Sequence, residues 1–413
     1  MKQYDIGIIG GGPAGYTSAL YAIQQGKSVV LFEKSELGGT CLNRGCIPTK
    51  ILLHISQLYN EINSCEKLGI FASDIKIDYE KITEQRNKTI EKLRKSLELM
   101  IKKSGIEIVY QDAKIENDII KTDTDEYSCK EIIIATGSKP KELKGLEYDG
   151  EFILSSDDIL NLKALPQNIL IVGSGAFGIE WARIFSAFGI ETTVVELADR
   201  LCPLADWEVS KRIERQFKIN KIKYYTETSI SNIDNKTVTL SNGMELAPEC
   251  ILVAVGRETK QYENIENSKI KIIGDASKEI MLAHYAISQA KELLLDIPFE
   301  KTLVPSVIYG TPEIAWVGKV FGAESEEAGY DKVVLPISTL GKAHCDGCID
   351  GFIKIISKDG LIVGASIVSN EASALIHQIT IAIQNKIGVK ELQSVCFAHP
   401  TYSEGNLEGI MQL

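Results

Sequence analysis

No run of apolar residues in this chain of 413 approaches the roughly 20 needed to cross a bilayer as a helix. The N-terminus has no basic region, apolar core or cleavage site. It passes at once into Tyr4-Asp5-Ile6-Gly7-Ile8-Ile9, a strand pattern, so a secretory signal is not expected. An excess of positive charge is missing too. The formal net charge of -11 repels nucleic acid and anionic membrane surfaces alike, which argues against both as partners. There is no low-complexity tract, and the composition is neither Pro-rich nor poor in aliphatic residues, as expected of a globular protein. Nor are there enough cysteines for a secreted disulfide scaffold: the nine are an odd number, and most stand alone. A reducing cytoplasm is the expected compartment, and a disulfide there is catalytic or redox-sensing. Two clustered pairs remain for attention, Cys41/Cys46 and Cys345/Cys348.

The length exceeds one comfortable core and implies about two to four domains. Residues 4–9 read as a strand, Gly10-Gly11-Gly12-Pro13-Ala14-Gly15 as a turn, 16–25 as a helix and 28–32 as a second buried strand. The same grammar recurs with a strand at 168–172, a turn at 173–178, a helix at 179–188 and a strand at 192–195. Two such units far apart in one chain predict an α/β protein with two doubly wound nucleotide-binding domains. A charged helix is expected over 82–103, short strands over 109–129 and a buried strand over 131–135. The last third differs in character: strands of a mixed sheet over 304–320, 332–339 and 352–368, with helices at 372–385 and 389–393.

Gly10, Gly12 and Gly15 would let the backbone turn tightly, approach a pyrophosphate and pack the following helix on its strand. Glu33, at the end of the second strand, is placed to accept hydrogen bonds from a ribose diol. Gly173, Gly175 and Gly178 repeat the arrangement with Glu196. A carboxylate there favours the free 2′-hydroxyl of NAD over the 2′-phosphate of NADP, although Arg200 stands nearby as an alternative phosphate partner. Two dinucleotide sites in one chain imply electron transfer between two cofactors, which needs a third redox group. The run Gly38-Gly39-Thr40-Cys41-Leu42-Asn43-Arg44-Gly45-Cys46-Ile47-Pro48-Thr49-Lys50 offers one. Its glycines predict a loop, and Pro48 suits the first turn of a helix continuing through 51–59. Cys46 then lies just ahead of a helix N-terminus, whose dipole stabilises a thiolate. The spacing excludes the two-residue zinc pattern and leaves the pair open between two structural thiols and a redox disulfide. Near the other end, His399 and Glu404 stand a short turn apart, a combination that serves either packing or general-base chemistry.

Taken together, Gly10 to Gly15, the run from Gly38 to Lys50, Ala135-Thr136-Gly137 and His399-Pro400-Thr401 resemble the pyridine nucleotide-disulfide oxidoreductases, and within them most closely the dihydrolipoyl dehydrogenases. The resemblance covers nearly the whole chain. Glutathione-specific relatives differ between and after the cysteines, and mercuric reductases add a C-terminal cysteine pair where this chain ends Gly409-Ile410-Met411-Gln412-Leu413. It implies FAD and NAD as cofactors and an FAD domain of 1–145 plus 257–300, an NAD domain of 146–256 and an α+β dimerisation domain of 301–413. In that resemblance Cys41 is the interchange thiol and Cys46 the thiol against the flavin. Lys50, near the flavin, pairs with Glu180. The FAD site is made by Gly10, Gly12, Pro13, Ala14, Gly15, Glu33, Lys34, Gly39, Thr40, Lys50, Ala135, Thr136, Gly137, Gly274 and Asp275. NAD falls to Gly173, Gly175, Gly178, Glu196 and Gly256. His399 and Glu404 form a base dyad contributed by the partner of a homodimer.

The implied reaction oxidises a protein-bound dihydrolipoyl group, of a 2-oxoacid dehydrogenase or glycine-cleavage system, with reduction of NAD⁺. Its rivals are a reductase of another disulfide, a docked subunit without catalysis, and a diaphorase that does not need the cysteines. One departure stands out: the stretch between Arg257 and Gly274 is shorter than in relatives, which predicts a trimmed periphery with retained chemistry and leaves altered cofactor access or a weaker NAD site open. No metal site is expected, and Cys345/Cys348 are read as surface thiols.

Overall fold

The strand expected at 4–9 forms as Lys2–Ile9 and sits at the centre of the first sheet, in a computed structural model that describes residues 1–262, 268–321 and 329–413. Val29–Phe32 and Glu126–Ile134 flank it in parallel register, and Glu107–Val109 and Ile270–Ile272 extend the parallel sheet at either edge. Strands of a parallel sheet covered on both faces become continuous apolar runs. That is why Val29–Phe32 is buried at every position. The separate strand expected at 131–135 is the second half of Glu126–Ile134. Its first half alternates because it is edged by the hairpin Lys114–Glu116/Ile119–Lys121, and its last three residues are buried in succession.

A second parallel sheet runs Lys223–Tyr225, Glu191–Val195, Asn168–Val172, Cys250–Val253 and Ile153–Leu154. In each sheet the helix after the glycine turn begins three residues earlier than the apolar period suggests. Pro13–Gln24 starts with a proline, whose missing N–H costs nothing in the first turn, and both Pro13–Gln24 and Ala176–Ala187 follow an extended glycine, Gly12 or Gly175. The charged helix spans Tyr79–Lys103, capped by Asp78, whose side chain accepts from the Lys81 N–H at 2.9 Å.

The C-terminal sheet is not mixed, as expected from the sequence, but antiparallel throughout, in the order Ser306–Ile308, Glu313–Gly318, Leu361–Ser369, Phe352–Lys358, Asp331–Pro336. The single expected strand at 352–368 is a hairpin. Asp359 and Gly360 both have positive φ, 51° and 75°, the conformation a two-residue turn needs, and so tight a turn forces antiparallel pairing. Helix Ala372–Gln384 packs on this sheet, and the short helix Glu404–Ile410 lies against Phe352–Lys358, where Gly405 and Gly409 admit the side chains of Ile353 and Ile355. Among the described residues no helix is long and apolar enough to cross a membrane.

Candidate active site

A cleft of about 2330 Å³ runs between the two parallel sheets, lined at one end by Gly10 to Ala14 with Glu33 and at the other by Gly173 to Phe177 with Glu196. Each sheet contributes the same device. Gly10 has φ +108° and Gly173 φ +102°, and each presses its α-carbon against the backbone of Ala135 or Ala254. A side chain at either would collide with that backbone, and one at Gly15 or Gly178 would meet the carbonyl of Gly10 or Gly173. The backbone can therefore come close to whatever lies across these turns, with a helix N-terminus behind. Glu33 is held from within the protein: its Oε2 accepts from the Gly11 N–H and its Oε1 from the Ser35 N–H, both at 2.8 Å. Glu196 is oriented likewise by the Ser174 N–H and hydroxyl, both at 2.7 Å, and by the Ala198 N–H at 2.9 Å. An ionised carboxylate has about four acceptor positions, so each retains capacity toward the cleft. Arg200 does not line the cleft; its guanidinium donates to Pro203 O at 2.8 Å.

Cys41 and Cys46 line the same cleft and form a disulfide, with α-carbons 4.7 Å apart. The loop expected from the glycines ends at Gly38. Residues Gly39–Arg44 form a short helix, and Cys46 is the first residue of the helix Cys46–Ser64 rather than just ahead of it. Asn43 ties the short helix back, its amide donating to Leu37 O at 2.9 Å and Gly39 O at 3.0 Å. A Cβ at Gly39 would stand 2.7 Å from Gly12 Cα, so the glycine turn and the cysteine segment touch directly. Lys50, one helical turn beyond Cys46, donates to both oxygens of Glu180 at 3.0 and 2.8 Å, as expected. Glu180 is buried and also accepts from the Tyr309 N–H at 3.0 Å, while the Lys50 ammonium stands 4.7 Å from the Tyr309 ring centre.

On the first glycine loop's side, Asp275 accepts from the Ser138 hydroxyl, which in turn accepts from Arg257 Nε at 2.7 Å. His399 and Glu404 do meet, Nδ1 to Oε1 at 2.8 Å. The Thr401 N–H, and after it the His399 ring, holds the Glu404 carboxyl below its ordinary range. The dyad does not line the cleft around its own chain's cysteines, and the imidazole is three-quarters exposed on another face.

Residues 4–275 match the family described as pyridine nucleotide-disulphide oxidoreductase, and residues 304–408 match its dimerisation domain. Dihydrolipoyl dehydrogenases of Bacillus subtilis and Chlamydia pneumoniae are 31% and 32% identical over 97% and 99% of this chain and 96% and 97% of theirs. The chain belongs to the pyridine nucleotide-disulphide oxidoreductases. Two solved structures share its fold, LpdA from Mycobacterium tuberculosis (TM-score 0.92) and the HOCl-induced flavoprotein disulfide reductase RclA from Escherichia coli (TM-score 0.86). Each is 23% identical; the first covers all of this chain and 99% of its own, the second 99% of both.

This oxidoreductase is an enzyme with FAD and NAD as cofactors, and its residues fit both. The cradles at Gly10 and Gly15 and at Gly173 and Gly178 would be filled by any side chain, and Thr49, buried beside the cysteines on the cleft wall, has a hydroxyl without a protein partner. Pro13, Ala14, Lys34, Thr40, Ala135, Thr136, Gly137 and Gly256 line the cleft with the residues already placed. Gly274 opens the short 3-10 helix Gly274–Ser277 and donates its N–H to Gln289 at 2.7 Å. Four contributors escaped the sequence reading: Asn43, Ser138, Arg257 in its bridging role, and Tyr309. Asn43 and Ser138 adjoin motif residues and were open to notice; the contacts of Arg257 and Tyr309 link residues more than 100 apart. The middle of the shortened stretch, 263–267, lies outside the described residues. Tyr262 before it reaches back to Thr136, hydroxyl to hydroxyl at 2.6 Å. Cys345 and Cys348 are unpaired thiols, and among the described residues no group of three potential ligands gathers for a metal.

Proposed function

We propose that this enzyme oxidises dihydrolipoyl groups carried on a protein to the lipoyl disulfide and reduces NAD⁺ to NADH, working as a homodimer. The observation that carries the reading is the disulfide of Cys41 and Cys46 at a helix N-terminus, on a cleft that both glycine cradles line, in a segment that touches Gly12 through Gly39 and Glu180 through Lys50. The domains divide as 1–145 with 257–300 for FAD, 146–256 for NAD and 301–413 for dimerisation, a division supported by the five sheets among the described residues, none of which crosses a boundary. Names of relatives supply the substrate class. The -11 charge and the lack of a membrane-crossing helix among the described residues agree with a cytoplasmic enzyme without nucleic-acid or membrane partners.

The chain's own work is thiol chemistry. One sulfur of the dihydrolipoyl group attacks Cys41 Sγ, breaking the Cys41–Cys46 bond and leaving Cys46 as a thiolate at the positive end of its helix. His399 of the other chain, oriented by Glu404, receives the substrate's proton. The second substrate sulfur then displaces Cys41, which closes the lipoyl disulfide and leaves the enzyme with two more electrons. FAD, when bound, supplies the two-electron connection from Cys46 to NAD⁺. Lys50 would present its charge, fixed by Glu180, to the flavin side of the cysteines. Glu33 would hold a ribose of FAD, Asp275 its sugar chain and Glu196 the adenosine ribose of NAD.

Anaerobic titration with NADH tests this. A long-wavelength band from the Cys46 thiolate beside oxidised flavin is expected, together with NAD-dependent oxidation of dihydrolipoamide that Cys41→Ser abolishes while NADH-to-dye activity persists. Simple bleaching of the flavin, or dihydrolipoamide turnover unaffected by Cys41→Ser, would exclude the mechanism.

A further inference from the structure

Away from the redox centre, three ionisable side chains meet at the seam between the second parallel sheet's domain and the C-terminal sheet. Lys354, on strand Phe352–Lys358, is 1% exposed, and its ammonium donates to Asp206 Oδ1 at 2.9 Å and Glu208 Oε2 at 2.7 Å. The Phe321 ring covers it, centre 4.9 Å away. Asp206 is wholly buried and heavily used. Its Oδ1 also accepts from the Glu208 N–H at 3.2 Å, capping helix Trp207–Ile219, and its Oδ2 accepts from the Phe321 N–H at 3.1 Å. The Trp207 N–H donates to Phe321 O at 2.8 Å, completing the seam.

A buried ion pair contributes little net stability over an apolar packing of the same volume, so its presence calls for another reason. Position supplies one. The nine residues before Asp206, 197–205, follow directly on Glu196, and Leu197, Cys202, Pro203 and Leu204 wall the second end of the cleft. They are pinned at the start by the Ala198 N–H on Glu196 and past their midpoint by the Cys202 N–H on the Ser174 hydroxyl. Downstream they run into Asp206, whose carboxylate is held by a residue of a different domain.

We propose that Lys354 is a positioning residue for NAD: acting through Asp206, it fixes the segment 197–205 as the outer wall of the NAD site. The proposal rests on the reading that the second glycine loop holds NAD. Lys354 touches no part of the cleft itself, so its loss should weaken the adenosine end of the cofactor and spare the thiol chemistry.

The test uses the flavin-loaded, full-length protein and ADP-ribose, which is NAD without its nicotinamide and so keeps the adenosine end that this wall would face, titrated by calorimetry. Lys354→Met should raise the ADP-ribose Kd and the KM for NAD⁺ about tenfold, with kcat at saturating NAD⁺ and the KM for dihydrolipoamide changed less than about twofold. Lys354→Arg should restore most of the loss. Should Lys354→Met leave too little folded protein, Lys354→Met with Asp206→Asn removes both buried charges, and the same rise in Kd is expected. Glu208→Gln, at the half-open edge of the cluster, should give a smaller rise. A lower melting temperature with unchanged Kd and KM in these variants would overturn the proposal, leaving Lys354 a structural residue only. Wild-type protein that binds no ADP-ribose would instead remove the premise that the second loop is an NAD site, and the proposal with it.

Discussion

Reactivity separates the thiols of this chain more sharply than their number does. Cys129, Cys202 and Cys250 are buried, and burial, which penalises the thiolate, pushes them up to about 11, 12 and 12. Cys345 and Cys396 are exposed, with Cys65 and Cys348 partly so. A thiol reacts as its thiolate, so at pH 8 the buried three are almost wholly inert. Iodoacetamide on the oxidised protein should label Cys345 and Cys396 first and leave dihydrolipoamide oxidation intact. After reduction by NADH, Cys41 should become the fastest-labelled site, and activity should fall in step with its modification. Peptide mass mapping of the two samples checks this; loss of activity on labelling the oxidised form would mean that a thiol outside the disulfide takes part.

The two strand–turn–helix elements are built alike but serve different ends of the cleft, so equivalent substitutions should have different consequences. A methyl at Gly15 is driven into the Gly10 carbonyl, and one at Gly178 into the Gly173 carbonyl and toward Ala254. Such overpacking costs about 1–3 kcal/mol. Gly15→Ala should yield protein that loses flavin on gel filtration. Gly178→Ala should keep a full flavin complement and a normal response to dihydrolipoamide while its KM for NAD⁺ rises about tenfold or more. Flavin loss from the Gly178 variant would show that the assignment of the two loops is reversed. These elements were legible in the sequence because most of what defines them is local: a strand of apolar residues, glycines at fixed offsets, an acid at the next strand end. The short helix Gly39–Arg44 was not, because Gly38 and Gly39 argue for a loop and the amide of Asn43 that folds the chain back leaves no periodic trace. The antiparallel C-terminal sheet was masked in a similar way, since the Asp359-Gly360 turn sits inside what reads as one apolar run. Lys354 and Tyr309 could not be read at all. Their partners lie more than 100 residues away, and only the packing of domains brings them together.

At the scale of the molecule, the proposed mechanism divides its reaction centre into two halves that one chain carries but does not bring together. The disulfide lies on the wall of the cleft, while an exposed His399 and a part-buried Glu404 stand before and at the start of helix Glu404–Ile410, on the domain that matches the family's dimerisation region. An isologous dimer places the same surface of each chain against the other, so each dyad can complete its partner's disulfide. Mixed dimers separate this from catalysis within one chain. Cys41→Ser and His399→Ala homodimers should each be nearly inactive. Unfolded together, refolded and allowed to pair at random, half the dimers are hybrids. In each hybrid one site has both defects and the other has the intact Cys41 of one chain and the intact His399 of the other. Activity should therefore return to about a quarter of the wild-type level per chain. If the dyad served its own chain, every site in every dimer would carry one defect and mixing would restore nothing. Differently tagged chains, purified by two affinity steps, would raise the recovered value to about half, a second figure that the cis arrangement cannot produce.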